Sequence, residues 1–264
     1  MRNFEYFAPT QVIFGKDTHL KIGTLLKGQN CHKVLIHYGG HSAVKSGLID
    51  EIKKNLDEAG IAYVTLGGVV PNPRLSKVRE GIELCRRENV DFLLAVGGGS
   101  VIDSCKAIGY GLANPETVVW KFFLRTETPK ACLPVGVILT IAASGSEMSN
   151  SCVITNEEGW LKRSTARNDL CRPRFAILNP RLTYTLPQYQ TESGCVDILM
   201  HTMERYFVNI ETMEITDSIS ESLMQTVIYN ARILMKEPDN YTARAEIMWA
   251  GSLSHNALTG CGTG

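Results

Sequence analysis

Three consecutive glycines and a serine, at residues 97–100, are the residues whose types most directly suggest chemistry. An apolar run precedes them at residues 91–96. Apolar residues at helical spacing follow them, namely Val101, Ile102, Cys105, Ile108 and Leu112. This order predicts a strand, a tight turn and the start of a helix. Glycines let a ligand approach the backbone closely, and a helix N-terminus favours an anionic phosphate. The segment therefore predicts a cradle for a nucleotide pyrophosphate.

A tight turn that binds nothing is the alternative interpretation, because glycine is common in turns of every kind. The segment also differs from the G-x-G-x-x-G dinucleotide pattern, and it lacks the Gly-Lys-Ser/Thr of a P-loop. The glycine run alone leaves both interpretations open, so the rest of the chain must decide between them.

Asp197 and His201 form the second candidate constellation. They are four residues apart in a helical pattern and therefore share one helix face. A carboxylate oxygen and an imidazole nitrogen can bind one divalent cation, such as iron(II), zinc or manganese. The alternative is an ordinary ionic or hydrogen-bonded pair between residues i and i+4. Glu204 lies near the same face but could equally pair with Arg205 or with solvent.

Elements of two kinds must position these residues. In the first part of the chain, short apolar runs alternate with helical patterns, which is typical of βαβ units and a parallel sheet. The predicted strands are residues 33–38, 61–66, 91–96, 133–141 and 175–178. Residues 4–14 are expected to form a separate N-terminal strand or hairpin.

The pattern changes after residue 180. Residues 187–264 show helical periodicity and almost no strand signal, and Pro187 suits the first turn of a helix. We therefore place a boundary near residues 183–187. It separates an α/β dinucleotide-binding domain at 1–185 from a helical metal and substrate domain at 186–264. A cleft between two such domains is a common place for an active site.

Composition limits the class of protein. The 264 residues are 44% hydrophobic and carry a formal net charge of zero, which suits a globular protein of one or two domains. Nothing in this charge points to nucleic acid or to an anionic membrane. The eight cysteines include no Cys-x-x-Cys pair, which favours reduced thiols used as core residues. We expect a cytoplasmic protein with no nucleic-acid or membrane partner.

Several segments, taken in order, resemble the iron-containing (group III) alcohol dehydrogenases, and most of all their NADPH-dependent butanol dehydrogenase and aldehyde reductase branch. The matching segments are V-P-N-P at 70–73, A-V-G-G-G-S-V-I-D-S-C-K at 95–106, T-I-A-A-S-G-S-E-M at 140–148, L-N-P at 178–180, T-L-P at 185–187 and the helix with Asp197 and His201. The P-N-P of the first segment and the S-G-S-E-M of the third argue against a glycerol-dehydrogenase or dehydroquinate-synthase type of enzyme.

The resemblance implies an α/β fold with a Rossmann-like parallel-sheet N-terminal domain, followed by an all-helical C-terminal domain that is incomplete here. It also implies a metal-dependent oxidoreductase that interconverts primary alcohols and aldehydes by hydride transfer with NADP(H). The alternative is a catalytically inactive NADP-binding fragment or interaction protein that lacks a complete metal site. The expected partners are a small alcohol or aldehyde and, through the N-terminal strands, a second copy of the chain.

Roles for individual residues follow from the resemblance. Gly98, Gly99 and Ser100 are expected to hold the pyrophosphate, and Asp103 to lie near the nicotinamide. The residues expected along the rest of the cofactor path are Asn72, Thr140, Ser144 and Lys162. Iron(II) or zinc would be held by one aspartate and three histidines.

Asp197 and His201 match two of these four metal ligands. The other two histidines of the family come after the helix with which this sequence ends, so the resemblance implies a C-terminally truncated chain. His255 lies in that last helix, where its apolar surroundings predict a packing residue and not a ligand.

The residues after the first predicted strand bear on the choice of cofactor. NAD-selective relatives carry an acidic residue there, beside the adenosine ribose, and its charge would repel a 2′-phosphate. This chain has Gly39, Gly40, His41 and Ser42 at that place, with Lys45 nearby. We therefore expect NADP(H), while a simple Gly-Gly turn would leave NAD(H) open.

Overall fold

The computed structural model describes residues 3–208 and 213–261. Its strands are β1 (Gln11–Phe14), β2 (Lys33–Tyr38), β3 (Ala62–Leu66), β4 (Phe92–Gly97), β5 (Val135–Leu139), β6 (Val153–Asn156), β7 (Leu161–Ser164) and β8 (Phe175–Leu178). Its α-helices are α1 (Ile22–Gly28), α2 (Ser42–Lys45), α3 (Leu48–Ala59), α4 (Leu75–Glu88), α5 (Gly99–Ala113), α6 (Trp120–Leu124), α7 (Gln188–Tyr206), α8 (Glu214–Leu234) and α9 (Tyr241–Ser254). Short 3-10 helices include Ser146–Met148 and Pro180–Thr183.

Six strands form one parallel sheet in the order β1-β8-β5-β4-β2-β3. The predicted α/β class and parallel sheet are confirmed. The five predicted strands lie within two residues of their expected bounds. Four of them, β2, β4, β5 and β8, could be recognised because they are buried on both faces, which makes each a nearly continuous apolar run.

The prediction of a separate N-terminal strand or hairpin at residues 4–14 is wrong. Only Gln11–Phe14 forms a strand, and this strand is an edge of the main sheet. It pairs in parallel with β8, so that Val12 lies opposite Ala176 and Ile13 opposite Ile177. A partner so distant in sequence leaves no mark on the local pattern.

Strands β6 and β7 form a two-stranded antiparallel hairpin that the sequence analysis missed. The segment Leu161–Ser164 is mostly exposed and reads Leu-Lys-Arg-Ser, which has no strand-like alternation of apolar residues. Thr155 pairs with Lys162 across the hairpin. The hairpin packs beside α5 and thereby carries Lys162 to the edge of the cavity described below.

The apolar core lies on both faces of the sheet. On one face, side chains of α1 and α3 pack against alternate residues of the strands. On the other face, a second cluster extends from α4 and α5 into the helices that follow residue 188. Its members include Leu93, Ile108, Ile198, Val227 and Met248. The helical region thus shares a core with the sheet, which fixes α7 and α9 relative to the strand ends.

The order of the central strands determines where a ligand can bind. The chain runs from β2 outwards to β3 and then returns to β4 on the other side of β2. Such a reversal opens a crevice at the carboxyl ends of the strands, where open α/β sheets bind their ligands. The glycine run stands at this place, since β4 ends at Gly97 and α5 begins at Gly99.

Within residues 3–208 and 213–261, no helix is both long and apolar enough to cross a membrane. Six of the eight cysteines are buried, as their use as core residues requires.

Candidate functional site

A cavity of about 560 Å³ lies where the carboxyl end of β4 meets α7. We call it the site cavity. Nine of the predicted site residues line it, namely Asn72, Gly98, Gly99, Ser100, Asp103, Ser144, Lys162, Asp197 and His201. The two constellations found in the sequence thus border the same space. A larger apolar groove of about 650 Å³, between α7, α8 and the start of α9, contains none of them.

The start of α5 offers free hydrogen-bond donors to the site cavity. The carbonyl of Gly98 accepts from the N–H groups of Val101 and Ile102 at 3.0 and 3.1 Å. Among the described residues, the N–H groups of Gly99 and Ser100 have no partner. Free donors at the positive end of a helix are what a phosphate group binds. The residues present therefore fit a pyrophosphate at this turn.

The glycines of this turn also permit close contact with the loop after β5. A β-carbon on Gly98 would lie 2.2 Å from Cγ2 of Ile141, and one on Gly99 would lie 2.3 Å from Oγ of Ser144. Gly98 has a φ of −98°, which other residues can adopt. The glycines are thus required for the approach of two protein loops, a reason that the sequence analysis did not anticipate.

Asp103 lies one turn into α5, and protein groups hold both of its carboxylate oxygens. Oδ1 accepts from the hydroxyl of Ser146 at 2.6 Å, and Oδ2 accepts from the N–H of Val153 at 2.9 Å. Burial raises the pKa of Asp103, while the nearby charge of Lys106 and these two hydrogen bonds oppose that rise. Asp103 therefore ties α5 to the loop around Ser146 and to the hairpin, besides lining the cavity.

Lys106, one turn further along α5, is completely buried, which the sequence analysis missed. Its ammonium group donates to the carbonyls of Ser146, Ser149 and Ser151 at 2.7–3.0 Å, and it lies 3.0 Å from the hydroxyl of Ser146. These three serines line the site cavity. One buried cation thus holds a wall of the cavity that has little regular structure of its own.

The Asp197 and His201 pair lies on α7, in another part of the cavity wall. Oδ1 of Asp197 is 3.6 Å from Nε2 of His201, a separation that one metal ion could bridge. Glu204 Oε2 is 3.9 Å from the other ring nitrogen of His201. Within the described part of the chain, no group of three histidine, cysteine, aspartate or glutamate side chains could hold a metal ion. Asp197 and His201 would therefore supply part of a ligand set.

His255 follows the last residue of α9 and is in direct contact with His201. Its ring stacks on that of His201 with centroids 4.6 Å apart and planes within 7°. Its Nδ1 lies 2.7 Å from the carbonyl oxygen of Ser144, so Nδ1 carries the proton and donates it. Burial, with the charges of Arg205 and His201, lowers the pKa of His255 to about 3. Lone pairs in parallel ring planes do not converge on one ion, which favours the non-ligand prediction.

Four predicted cofactor residues lie outside the cavity lining, namely Gly39, Gly40, Ser42 and Thr140. The N–H of Thr140 donates to the carbonyl of Gly97 at 3.2 Å, which places this residue against the glycine turn. The carbonyl of Gly39 accepts from Gly68, next to Val69 in the cavity wall. Thr140 and Gly39 thus adjoin the wall, whereas Gly40 and Ser42 are exposed.

The chain matches known proteins over nearly its whole length. Residues 9–180 match the family model for iron-containing alcohol dehydrogenase, and residues 191–264 match the model for the C-terminal part of the same family. The NADH-dependent butanol dehydrogenase A of Clostridium acetobutylicum is 41% identical over 99% of this chain and 67% of its own length. The NADPH-dependent aldehyde reductase YqhD of Escherichia coli is 36% identical over similar shares.

The fold agrees with these matches. The crystal structure of NADH-dependent butanol dehydrogenase A from Thermotoga maritima superposes with a TM-score of 0.96 at 38% identity, over 99% of this chain and 65% of that one. The present chain thus spans about two thirds of the length of these relatives. On the two family models and this agreement in sequence and fold, the chain belongs to the iron-containing alcohol dehydrogenase family of oxidoreductases.

Proposed function

We propose that this chain binds NADP(H) and, with a divalent cation, interconverts primary alcohols and aldehydes by hydride transfer. The observation that carries the proposal is the shared cavity, which joins the free N–H groups of Gly99 and Ser100 to the Asp197 and His201 pair. One wall suits a dinucleotide phosphate, and the other suits a cation that binds oxygen and nitrogen.

Each wall has a defined part in the reaction. A bound cation supplies Lewis acidity toward the substrate oxygen, and the nicotinamide supplies or accepts the hydride. Asp197 and His201 hold part of the cation's coordination sphere, and the start of α5 holds the pyrophosphate. Lys106 keeps the serine-rich wall in place, and this wall helps to exclude water from the reacting groups.

The choice of NADP(H) is argued from the residues after β2. Residues 39–49 contain no acidic side chain that would repel a 2′-phosphate. Ser42 and Lys45 are exposed at the two ends of α2 and can bind this group. The names of the relatives include both NADH-dependent and NADPH-dependent enzymes. The proposal therefore depends on this segment of the present chain.

Titration of the full chain with NADPH and with NADH, followed by nucleotide fluorescence, tests the cofactor assignment. We expect tighter binding of NADPH, and weaker binding of NADPH but not NADH in Lys45→Gln. The exposed Lys27→Gln is the matched control, since it removes the same charge from α1. Equal or tighter binding of NADH would refute the assignment to NADP(H), and failure to bind either nucleotide would refute the proposal as a whole.

Reduction of butyraldehyde by NADPH, with iron(II) or zinc added, tests the reaction. Asp197→Asn and His201→Ala should lower the bound metal and the rate while leaving NADPH affinity unchanged. Binding of NADPH without stoichiometric metal and without turnover would favour the alternative, a catalytically inactive dinucleotide-binding protein.

A further inference from the structure

A second cavity of about 270 Å³ adjoins the site cavity. Three arginines line it, Arg167, Arg172 and Arg205, and we call it the arginine pocket. It shares three wall residues with the site cavity, namely Ser149, Ser151 and His255. The two spaces therefore adjoin along these three residues.

The charges in the arginine pocket are not balanced. The charge of Arg172 is paired, because its Nε lies 2.5 Å from Oδ1 of Asp169. Its Nη1 also donates to the carbonyl of Met148. Arg205 donates one N–H to the carbonyl of His201, and most of its other donors remain available. Among the described residues, Arg167 has no ion-pair or hydrogen-bond partner.

Arg167 and Arg205 lie close enough for their like charges to interact. Of the described residues that line the arginine pocket, Glu204 is the single acid, and its side chain is 71% exposed. The charge of Glu204 acts on Arg205, and water screens the exposed Arg167 as it screens Glu204, so one carboxylate stands against the charges of two guanidinium groups. The pocket therefore presents excess positive charge beside the predicted metal ligand His201.

We propose that the arginine pocket binds the anionic end of a short aldehyde substrate whose carbonyl lies beside Asp197 and His201. Guanidinium groups bind carboxylate, sulfonate and phosphate oxygens through paired hydrogen bonds. The substrate class is thus a short aldehyde that carries such a group at its far end. In the reaction, hydride from NADPH adds to the carbonyl carbon and a proton adds to its oxygen, while the anionic group is unchanged. This substrate assignment rests on the proposed function.

Binding of sulfate to the full chain, measured by calorimetry at constant ionic strength, tests the pocket without any turnover. We expect Arg167→Gln to weaken binding about two- to fivefold, because Arg167 is exposed and water screens its charge. Arg167 is exposed on a loop and anchors nothing, so this variant should fold normally. Arg163→Gln is the matched control, because Arg163 is exposed on β7 and lines neither cavity.

Glu204→Gln provides a test of opposite sign, since removal of the competing carboxylate should tighten sulfate binding. An absence of saturable binding, or equal weakening by Arg167→Gln and Arg163→Gln, would overturn the anion site.

Succinic semialdehyde and butyraldehyde, which both have four carbons, test the substrate class. We expect a higher kcat/KM for the semialdehyde, and Arg167→Gln should lower the ratio of the two values about two- to fivefold. Turnover of both aldehydes with a ratio that Arg167→Gln leaves unchanged overturns the substrate class but not the proposed function. If neither aldehyde is reduced, the proposed function and the substrate assignment both fail, and the sulfate titration still decides whether the pocket binds anions.

Discussion

Replacement of Gly98 by alanine tests why the turn after β4 contains glycine. The new β-carbon would lie 2.2 Å from Cγ2 of Ile141. Carbon atoms in contact are separated by about 3.5–4.0 Å, so the overlap is at least about 1.3 Å. Isoleucine is β-branched and stiff at χ1, so its methyl group cannot simply rotate away. The loop after β5 must move instead.

The cost of such overpacking is about 1–3 kcal/mol. We expect Gly98→Ala to lower the free energy of unfolding in urea by this amount. It should also weaken NADPH binding, because the N–H groups of Gly99 and Ser100 would move with the turn. Gly28→Ala is the matched control, since a β-carbon there meets nothing within 4 Å. Gly28 ends α1, so the control should leave stability unchanged or raise it slightly.

The double variant Gly98→Ala/Ile141→Ala decides whether glycine is needed at residue 98 for packing against Ile141 or for the approach of a ligand. Truncation of Ile141 removes Cγ2 and leaves its Cβ 3.8 Å from the new atom, an ordinary contact. Gly98→Ala should therefore cost much less in the Ile141→Ala background. An equal cost in both backgrounds would show that the packing explanation is wrong. Weaker NADPH binding with no loss of stability would show that Gly98 serves only the approach of a ligand.

Two further predictions concern buried polar groups. Lys106→Met should lower the free energy of unfolding in a urea titration by about 3–5 kcal/mol, because three serine carbonyls and the charge of Asp103 lose their partner. The control Lys27→Met, at an exposed position, should have no effect in the same titration. Burial lowers the pKa of His37 to about 4 from 6.5, so the unfolded state binds the proton more tightly. His37 alone should therefore make the free energy of unfolding fall as the pH decreases from 6.5 to about 4, by at most about 1.4 kcal/mol per pH unit. A His37→Asn variant that kept the same slope in pH-dependent urea titrations would contradict this reasoning.

Local patterns in the sequence were sufficient to predict most strands of the main sheet. Strands buried on both faces read as short apolar runs, and the amphipathic helices between them show a period of 3.6 residues. The bounds of β2 and β8 were predicted without error. Partially exposed elements were harder, since the hairpin of β6 and β7 has no apolar stripe. The N-terminal strand was misassigned because its pairing with β8 is not a local property.

In the candidate site, too, local patterns revealed some residues, while residues that depend on distant contacts were missed. Asp197 and His201 were found because four residues along one helix define a face. The contacts of His255 with Ser144 and His201 join α9 to two other segments, and the periodicity of α9 contains no trace of them. The burial of Lys106 was missed for a similar reason, since its partners are 40–45 residues away in sequence. Lysine at such a position reads as a surface residue until the loop that covers it is known.

At Gly99, glycine serves both the close approach of Ser144 and the binding of a phosphate group, and the two explanations are compatible. The absent β-carbon lets Ser144 approach until its hydroxyl lies 2.3 Å from where that carbon would be. The same approach brings a hydroxyl donor beside the free N–H groups of Gly99 and Ser100. Three donors from two loops then surround the space predicted for the pyrophosphate, and a substitution that separates the loops should weaken all three contacts together. Loss of NADPH affinity in Gly98→Ala should thus be partly restored by Ile141→Ala, because the second substitution lets the loops close again.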